Sequence, residues 1–273
     1  MFRPSNGVWY SLDSRDNTFS GFLFGQNGDT PVEGDYDGDG RTDLAVTRDI
    51  EGAKFWYFTD SYDNEFRAVQ FGASGDKPVP GDYDFDGRMD IAVFRPSNGF
   101  WYILRNSDGE LLARAFGQAG DVPVAGDFRN TSPGTDLAVF RPSNGTWYIA
   151  RSLNNSAQDF DAVSFGSSSD KPVPADYDDD GKTDVAVYRP SDGTWYYIQS
   201  RITQIKAVRW GAPGDIPQPG DYDANSNNQA DFTVFRPSDG TWYGLKSEGF
   251  VTQYQRFGAS GDIPASSPAT ISQ

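Results

Sequence analysis

Apolar residues along this chain come in short bursts of three to five, set two by two against polar ones and cut off by Gly, Pro, Asn and Asp. The bursts TDLAV, TWYI and AVQFG are rich in β-branched and aromatic residues, the composition of a half-buried strand. Between FRP and the WY segment, S-N-G or S-D-G supplies residues that tolerate positive φ, so these read as hairpin turns. No window longer than a few residues lacks a breaker, and only five of the 39 acidic residues are Glu, the one that suits helices. The pattern predicts an all-β chain.

The bursts repeat. A unit of about 47 residues reads FRPSNGxWY, a variable stretch, then FGxxGDxPVPGDYDGDGxTDxAV, and it starts near residues 2, 47, 94, 140, 188 and 235. A Trp-Tyr pair stands in every copy: Trp9-Tyr10, Trp56-Tyr57, Trp101-Tyr102, Trp147-Tyr148, Trp195-Tyr196 and Trp242-Tyr243. A fixed period of this length marks a solenoid, propeller or array. Four strands fit each unit: PVPGDYD, TDLAVFR, TWYI and the short strand ending in FG. Four-stranded units repeated radially make a propeller, so the expectation is a six-bladed β-propeller, one domain over residues 1–273. The segment Asp262 to Ile271 is expected to complete the blade begun by Phe2 to Phe24, closing the ring. With both faces of each blade packed on neighbours, the adjacent Trp and Tyr are both expected inside.

Three copies carry an intact D-x-D-x-D-G-x-x-D loop. They are Asp35-Tyr36-Asp37-Gly38-Asp39-Gly40-Arg41-Thr42-Asp43, then Asp82 to Asp90, with Asp84, Asp86 and Arg88 between, and Asp176 to Asp184, with Asp178, Asp180 and Lys182. Carboxylates at positions 1, 3, 5 and 9 converge when Gly at position 6 turns the chain. The carbonyl at position 7 (Arg41, Arg88, Lys182) adds an oxygen. An all-oxygen cage suits Ca²⁺ better than Mg²⁺, so about three calcium sites are expected. An EF-hand is excluded, because its twelfth position needs Glu between helices, whereas here it is Val46, Val93 or Val187. The other copies decay. Asp127 to Asp136 has lost positions 3 and 5, with Arg129 placed to supply positive charge. Asp221, Asp223, Asn225 and Asp231 form a longer, weaker candidate.

These residues carry a resemblance. GDYDGDGxTDxAVFRPSNGTWY resembles bacterial FG-GAP/VCBS-type repeats, related to those of the integrin α-subunit propeller. The resemblance implies calcium between the first and second strands of a blade, and an extracellular or cell-surface, adhesive or glycan-associated setting. It transfers no integrin-like ligand site, because no matching motif is present.

Charge narrows the partners. A net charge of −16 opposes nucleic acid, which needs a basic face, and opposes anionic membrane surfaces. Three calcium ions would bring it to about −10. No apolar run spans a bilayer, no targeting segment is visible in this chain, and a monomer is expected. Without His or Cys, the usual catalytic bases and nucleophiles are missing, although carboxylate-pair glycosidase chemistry stays formally open. The expected function is a non-catalytic, calcium-stabilised interaction or adhesion module with a protein or glycan ligand on a propeller face. The alternative is a multivalent lectin. Two further features bear on the choice. Arg3, Arg95, Arg141, Arg189 and Arg236 fall near Asp29, Asp76, Asp121, Asp170, Asp215 and Asp262, and are expected to form an interblade ion-pair ring. The sequence Thr47 to Lys54 replaces FRPSNG and breaks the symmetry, putting Asp49, Glu51 and Lys54 in one expected loop.

Overall fold

Each apolar burst becomes a strand in the computed structural model, which describes residues 1–13, 16–129, 134–151, 159–222 and 228–265. Five four-stranded antiparallel sheets and one three-stranded sheet follow one another in chain order. They form the six blades of a propeller, and no helix occurs among the described residues. The third blade shows the pattern: Lys77–Pro78, Ile91–Arg95, Phe100–Leu104 and Leu111–Ala115, each paired only with its sequence neighbours. The first blade has three named strands, Phe2–Arg3, Val8–Leu12 and Phe19–Leu23. Ile263 adds one antiparallel bridge to it, exchanging two backbone hydrogen bonds of 2.8 Å with Phe2. The rest of the expected closing segment, 266–271, lies outside the described residues.

The first strand is shorter than PVPGDYD. In four blades only two residues pair continuously, as at Lys77–Pro78, and a single bridge such as Gly81↔Asp90 follows. Asp-Tyr-Asp belongs to the loop rather than the strand, because its carboxylates capture backbone N–H groups that a ladder would use.

The cores lie between consecutive blades. Val79, Phe94, Trp101 and Ile103 of the third blade pack with Leu137 and Val139 of the fourth. Val173, Tyr188 and Trp195 of the fifth pack with Phe232 and Val234 of the sixth. Aromatic side chains of this size each bury roughly 150–250 Å², which compensates for modest aliphatic content. The Trp-Tyr pairs divide the work. Five of the six Trp are buried, and all six donate Nε1–H to the carbonyl of the FG aromatic, as Trp101 does to Phe116 at 2.8 Å. The six Tyr are only half-buried, which corrects the expectation that both would be interior: successive side chains point to opposite sides of the strand, and the Tyr side ends under an arginine.

Those arginines pair within blades, not between them. Arg95 grips Asp76 through Nε at 2.9 Å and Nη2 at 2.7 Å while lying 4.4 Å from the Tyr102 ring centroid. Asp76 ends the connection from the previous blade and accepts the Ala73 N–H, so the clasp fastens each incoming connection to the second strand of its own blade. All six blades have one. In the second blade it is Arg48 with Asp29 and Tyr57, an arginine the sequence reading passed over because its FRPSNG context is lost. The S-N-G or S-D-G glycine beside the clasp is obligatory in five blades: a Cβ on Gly99 would lie 2.3 Å from the Gly117 carbonyl oxygen.

Candidate metal centres

The three D-x-D-x-D-G-x-x-D loops are each pinned at two points before any cation is considered. The first is position 2. Tyr36, Tyr83 and Tyr177 turn inward, about 1% exposed, and donate their hydroxyls to Val32, Val79 and Val173 carbonyls at 2.6–2.8 Å. This sends their neighbours at positions 1 and 3 outward. The second point is position 9. Asp90 accepts the Tyr83 N–H at 2.9 Å on one oxygen and the Asn106 N–H at 2.7 Å on the other. Asp43 does the same with Tyr36 and Ser61, and Asp184 with Tyr177 and Ser200. Position 9 thus ties the loop to the turn between the third and fourth strands, putting those turns and the loops on one face of the disc.

Position 1 folds the loop itself. Asp35 accepts Gly38 and Gly40 N–H groups, Asp82 those of Phe85 and Gly87, and Asp176 those of Asp178, Asp180 and Gly181. The result draws like charges together. Carboxylate oxygens of Asp35, Asp37 and Asp39 lie within 4.8 Å of one another, as do those of Asp82, Asp84 and Asp90, and of Asp176, Asp178 and Asp180. Asp86 and Asp184 are not drawn into their loops' clusters. Asp43 joins Asp37 and Asp60 instead, and Asp60, from the turn after the third strand, was not foreseen. Its signal in the sequence is the pair Asp60 and Asp63, which a turn would also use.

Burial shapes the electrostatics. It pushes the Asp90 and Asp184 carboxyls up to about 7, against the pull of their backbone N–H donors. Burial also raises Asp37, Asp43, Asp82, Asp176 and Asp178, and neighbouring carboxylates add to it at all of these but Asp176. Among the described carboxylates, two buried oxygens have no hydrogen-bond partner: Oδ1 of Asp84 and Oδ1 of Asp178, both at position 3. A buried, unsatisfied carboxylate oxygen costs more than a neutral one, and a hard divalent cation would satisfy it. Oxygen-only donors with a backbone-ordered loop fit calcium chemistry.

The degenerate loops keep the position-9 pin, and no carboxylate cluster forms in them among the described residues. In the fourth blade Asp136 still accepts the Phe128 N–H at 2.9 Å, with its carboxyl pushed by burial to about 6. Arg129 lies 3.6 Å from Asp161 and lowers the Asp136 pKa, so its charge does reach the vacated cluster. In the sixth, Asp231 accepts Tyr222 and Ser247 N–H groups. Asp223 and Asn225 lie outside the described residues. The symmetry break at Thr47 to Lys54 is a longer strand pair with a two-residue turn at Glu51-Gly52, both at positive φ, and Lys54 pairs with Asp49 at 2.7 Å. It is a hairpin, not a constellation.

Residues 35–93, which hold the first two intact loops, match the family model described as FG-GAP-like repeat. Among solved structures, the crystal structure of BBS1N in complex with ARL6DN aligns at TM-score 0.54 with 12% identity, covering 94% of this chain and 82% of that one. AztD from Citrobacter koseri aligns at TM-score 0.45 with 12% identity, covering 96% and 83%. At 12% identity the BBS1N likeness speaks for the fold alone. No curated protein matches the chain in sequence.

Proposed function

Taking the chain as an FG-GAP-type repeat protein of propeller fold, we propose that it is a non-catalytic interaction module whose loops at 35–43, 82–90 and 176–184 are held by calcium. The observation that carries this reading is the pair of orphaned buried oxygens, Asp84 Oδ1 and Asp178 Oδ1, inside clusters of like charge. Calcium would be held by Asp35, Asp37, Asp39 and Asp43, by Asp82, Asp84, Asp86 and Asp90, and by Asp176, Asp178, Asp180 and Asp184, with the carbonyls of Arg41, Arg88 and Lys182. When bound it would supply charge neutralisation, not reactivity; the chain's own residues do the positioning. Such loops suit surroundings with abundant calcium, hence an extracellular or cell-surface setting.

A protein ligand suits the module, since the BBS1N structure, of the same fold, is a complex with ARL6DN. The lectin alternative would use the half-buried Tyr rings, but a guanidinium lies 4.2–4.8 Å from the centroid of each, leaving one ring face for a sugar. Terbium luminescence sensitised by the loop tyrosines tests the metal reading. Calcium-displaceable emission should fall stepwise in Asp37→Ala, Asp84→Ala and Asp178→Ala; emission unchanged in all three contradicts it.

A further inference from the structure

The third-to-fourth-strand turns beside the three intact loops are alike in backbone and unlike in charge. In each, one turn N–H reaches the aspartate at position 9: Ser61 to Asp43, Asn106 to Asp90 and Ser200 to Asp184, all at 2.7 Å. The residue before that donor is thereby held close to the loop. It is Asp60 in the second blade, Arg105 in the third and Gln199 in the fifth. Asp60 is buried, and its carboxylate has an oxygen within 4.8 Å of carboxylate oxygens of both Asp37 and Asp43. Arg105 instead brings Nε to 3.7 Å from Asp84 Oδ2. In the fifth blade the residue after the donor, Arg201, gives its backbone N–H to Asp178 Oδ2 at 3.3 Å and its Nη2–H to the Asp179 carbonyl at 2.8 Å.

The other charges of the turns do not cancel this contrast. Asp63 and Glu65 of the second blade match Asp108 and Glu110 of the third, down to the same bond from the Glu N–H to the Asp side chain. Each arginine is also paired: Arg105 with Asp108 and Glu110, and Arg67 with Asp60 Oδ1 at 2.8 Å. Asp60, Asp63, Glu65 and Arg67 still leave the stretch 60–67 at −2, whereas Arg105, Asp108 and Glu110 leave 105–112 at −1, and Arg201 and Lys206 leave 199–206 at +2. Arg67 grips Asp60 as the outer partner of a ligating carboxylate does, fixing its orientation. Affinity in oxygen-donor loops follows the charge count and rigidity of the site. We propose, resting on the calcium reading of these loops, that Asp60 is an additional acidic residue of the 35–43 site. Asp60, Arg105 and Arg201 then set the order in which the loops take up calcium, with 35–43 first.

The test is calcium titration calorimetry on the full, chelator-stripped chain with one loop left intact at a time. Asp84→Ala with Asp178→Ala leaves 35–43, Asp37→Ala with Asp178→Ala leaves 82–90, and Asp37→Ala with Asp84→Ala leaves 176–184. The first protein should bind calcium about tenfold tighter than either of the others. Within it, Asp60→Asn should weaken binding about tenfold, the worth of one charge a few ångströms from a divalent ion in watery surroundings. Arg105→Gln should tighten binding at 82–90 severalfold, a gain that a merely structural residue does not produce and that does not depend on the folding of Asp60→Asn. Equal affinities at the three loops, or an unmoved affinity in folded Asp60→Asn or in Arg105→Gln, would overturn the proposal while leaving calcium binding intact. Absence of calcium binding at every loop would overturn the calcium reading itself, and the order with it.

Discussion

At the residue scale, the four aspartates of one loop have different duties, and substitution should separate them. Asp90 is a clasp: both oxygens accept backbone N–H groups, and it is fully buried. Asp90→Ala should cost about 3 kcal/mol even in chelator, because two buried donors lose a charged acceptor, and should weaken calcium binding at its loop as well. Asp84 is a proposed ligand: Asp84→Asn should lower the melting temperature in calcium more than in chelator, because its Oδ1 has no protein partner while its Oδ2 accepts from Ser107 Oγ and lies 3.7 Å from Arg105 Nε. Paired melts distinguish the two. The sequence shows four equivalent carboxylates, but the survival of Asp136 and Asp231 in loops that lost their partners was the legible sign that position 9 is structural. Asp60 was not legible, because nothing local says that a turn some 20 residues away folds onto the loop. The arginine clasp admits the same treatment. Arg95→Ala leaves Asp76, whose side chain is 3% exposed, without its partner, and should cost about 3 kcal/mol in a denaturant melt. Arg95→Lys should recover only part of that, since an ammonium cannot make the two-point contact.

At the element scale, the loops confer a pH dependence whose sign follows from burial. Asp90 and Asp184 titrate near 7 in the folded protein against about 4 in an unfolded chain. Between those values the folded state holds more protons, so metal-free stability should be greatest near the lower value and fall as pH rises toward 7. Saturating calcium should flatten that slope over the same window. Melting temperatures from pH 4.5 to 7.5 with chelator and with calcium check both. The strands themselves were read correctly from short β-branched bursts and turn residues. What failed was the extent of the first strand, where PVPGDYD keeps a strand-like pattern while its Asp side chains divert the backbone into a loop. The half-burial of Tyr102 and its counterparts was missed because alternation alone cannot say that one face of the strand meets an arginine.

For the whole molecule, six units of one pattern made the propeller readable, since no blade can bury its faces alone. The loops are also joined from blade to blade: Met89 N–H donates to the Asp35 carbonyl at 2.7 Å, Thr135 to Asp82 at 2.8 Å, Thr183 to Asp127 at 2.6 Å and Ala230 to Asp176 at 2.7 Å. Metal binding in one loop should therefore stiffen its neighbours, and Asp84→Ala should weaken the site at 35–43 more than the site at 176–184. The contact between the two ends of the chain is subject to the same reasoning. Arg3 and Asp262 meet at 2.7 Å beside the Phe2–Ile263 bridge, and Asp262→Ala should lower the melting temperature of the whole ring as one transition, read by calorimetry.

The most direct measurement is calcium titration calorimetry on chelator-stripped protein, with a thermal melt at each end point. Calcium held by the three intact loops predicts about three sites per chain and a rise in melting temperature on saturation. Absence of heat, with identical melts in calcium and chelator, would contradict it and leave the aspartate loops as turns.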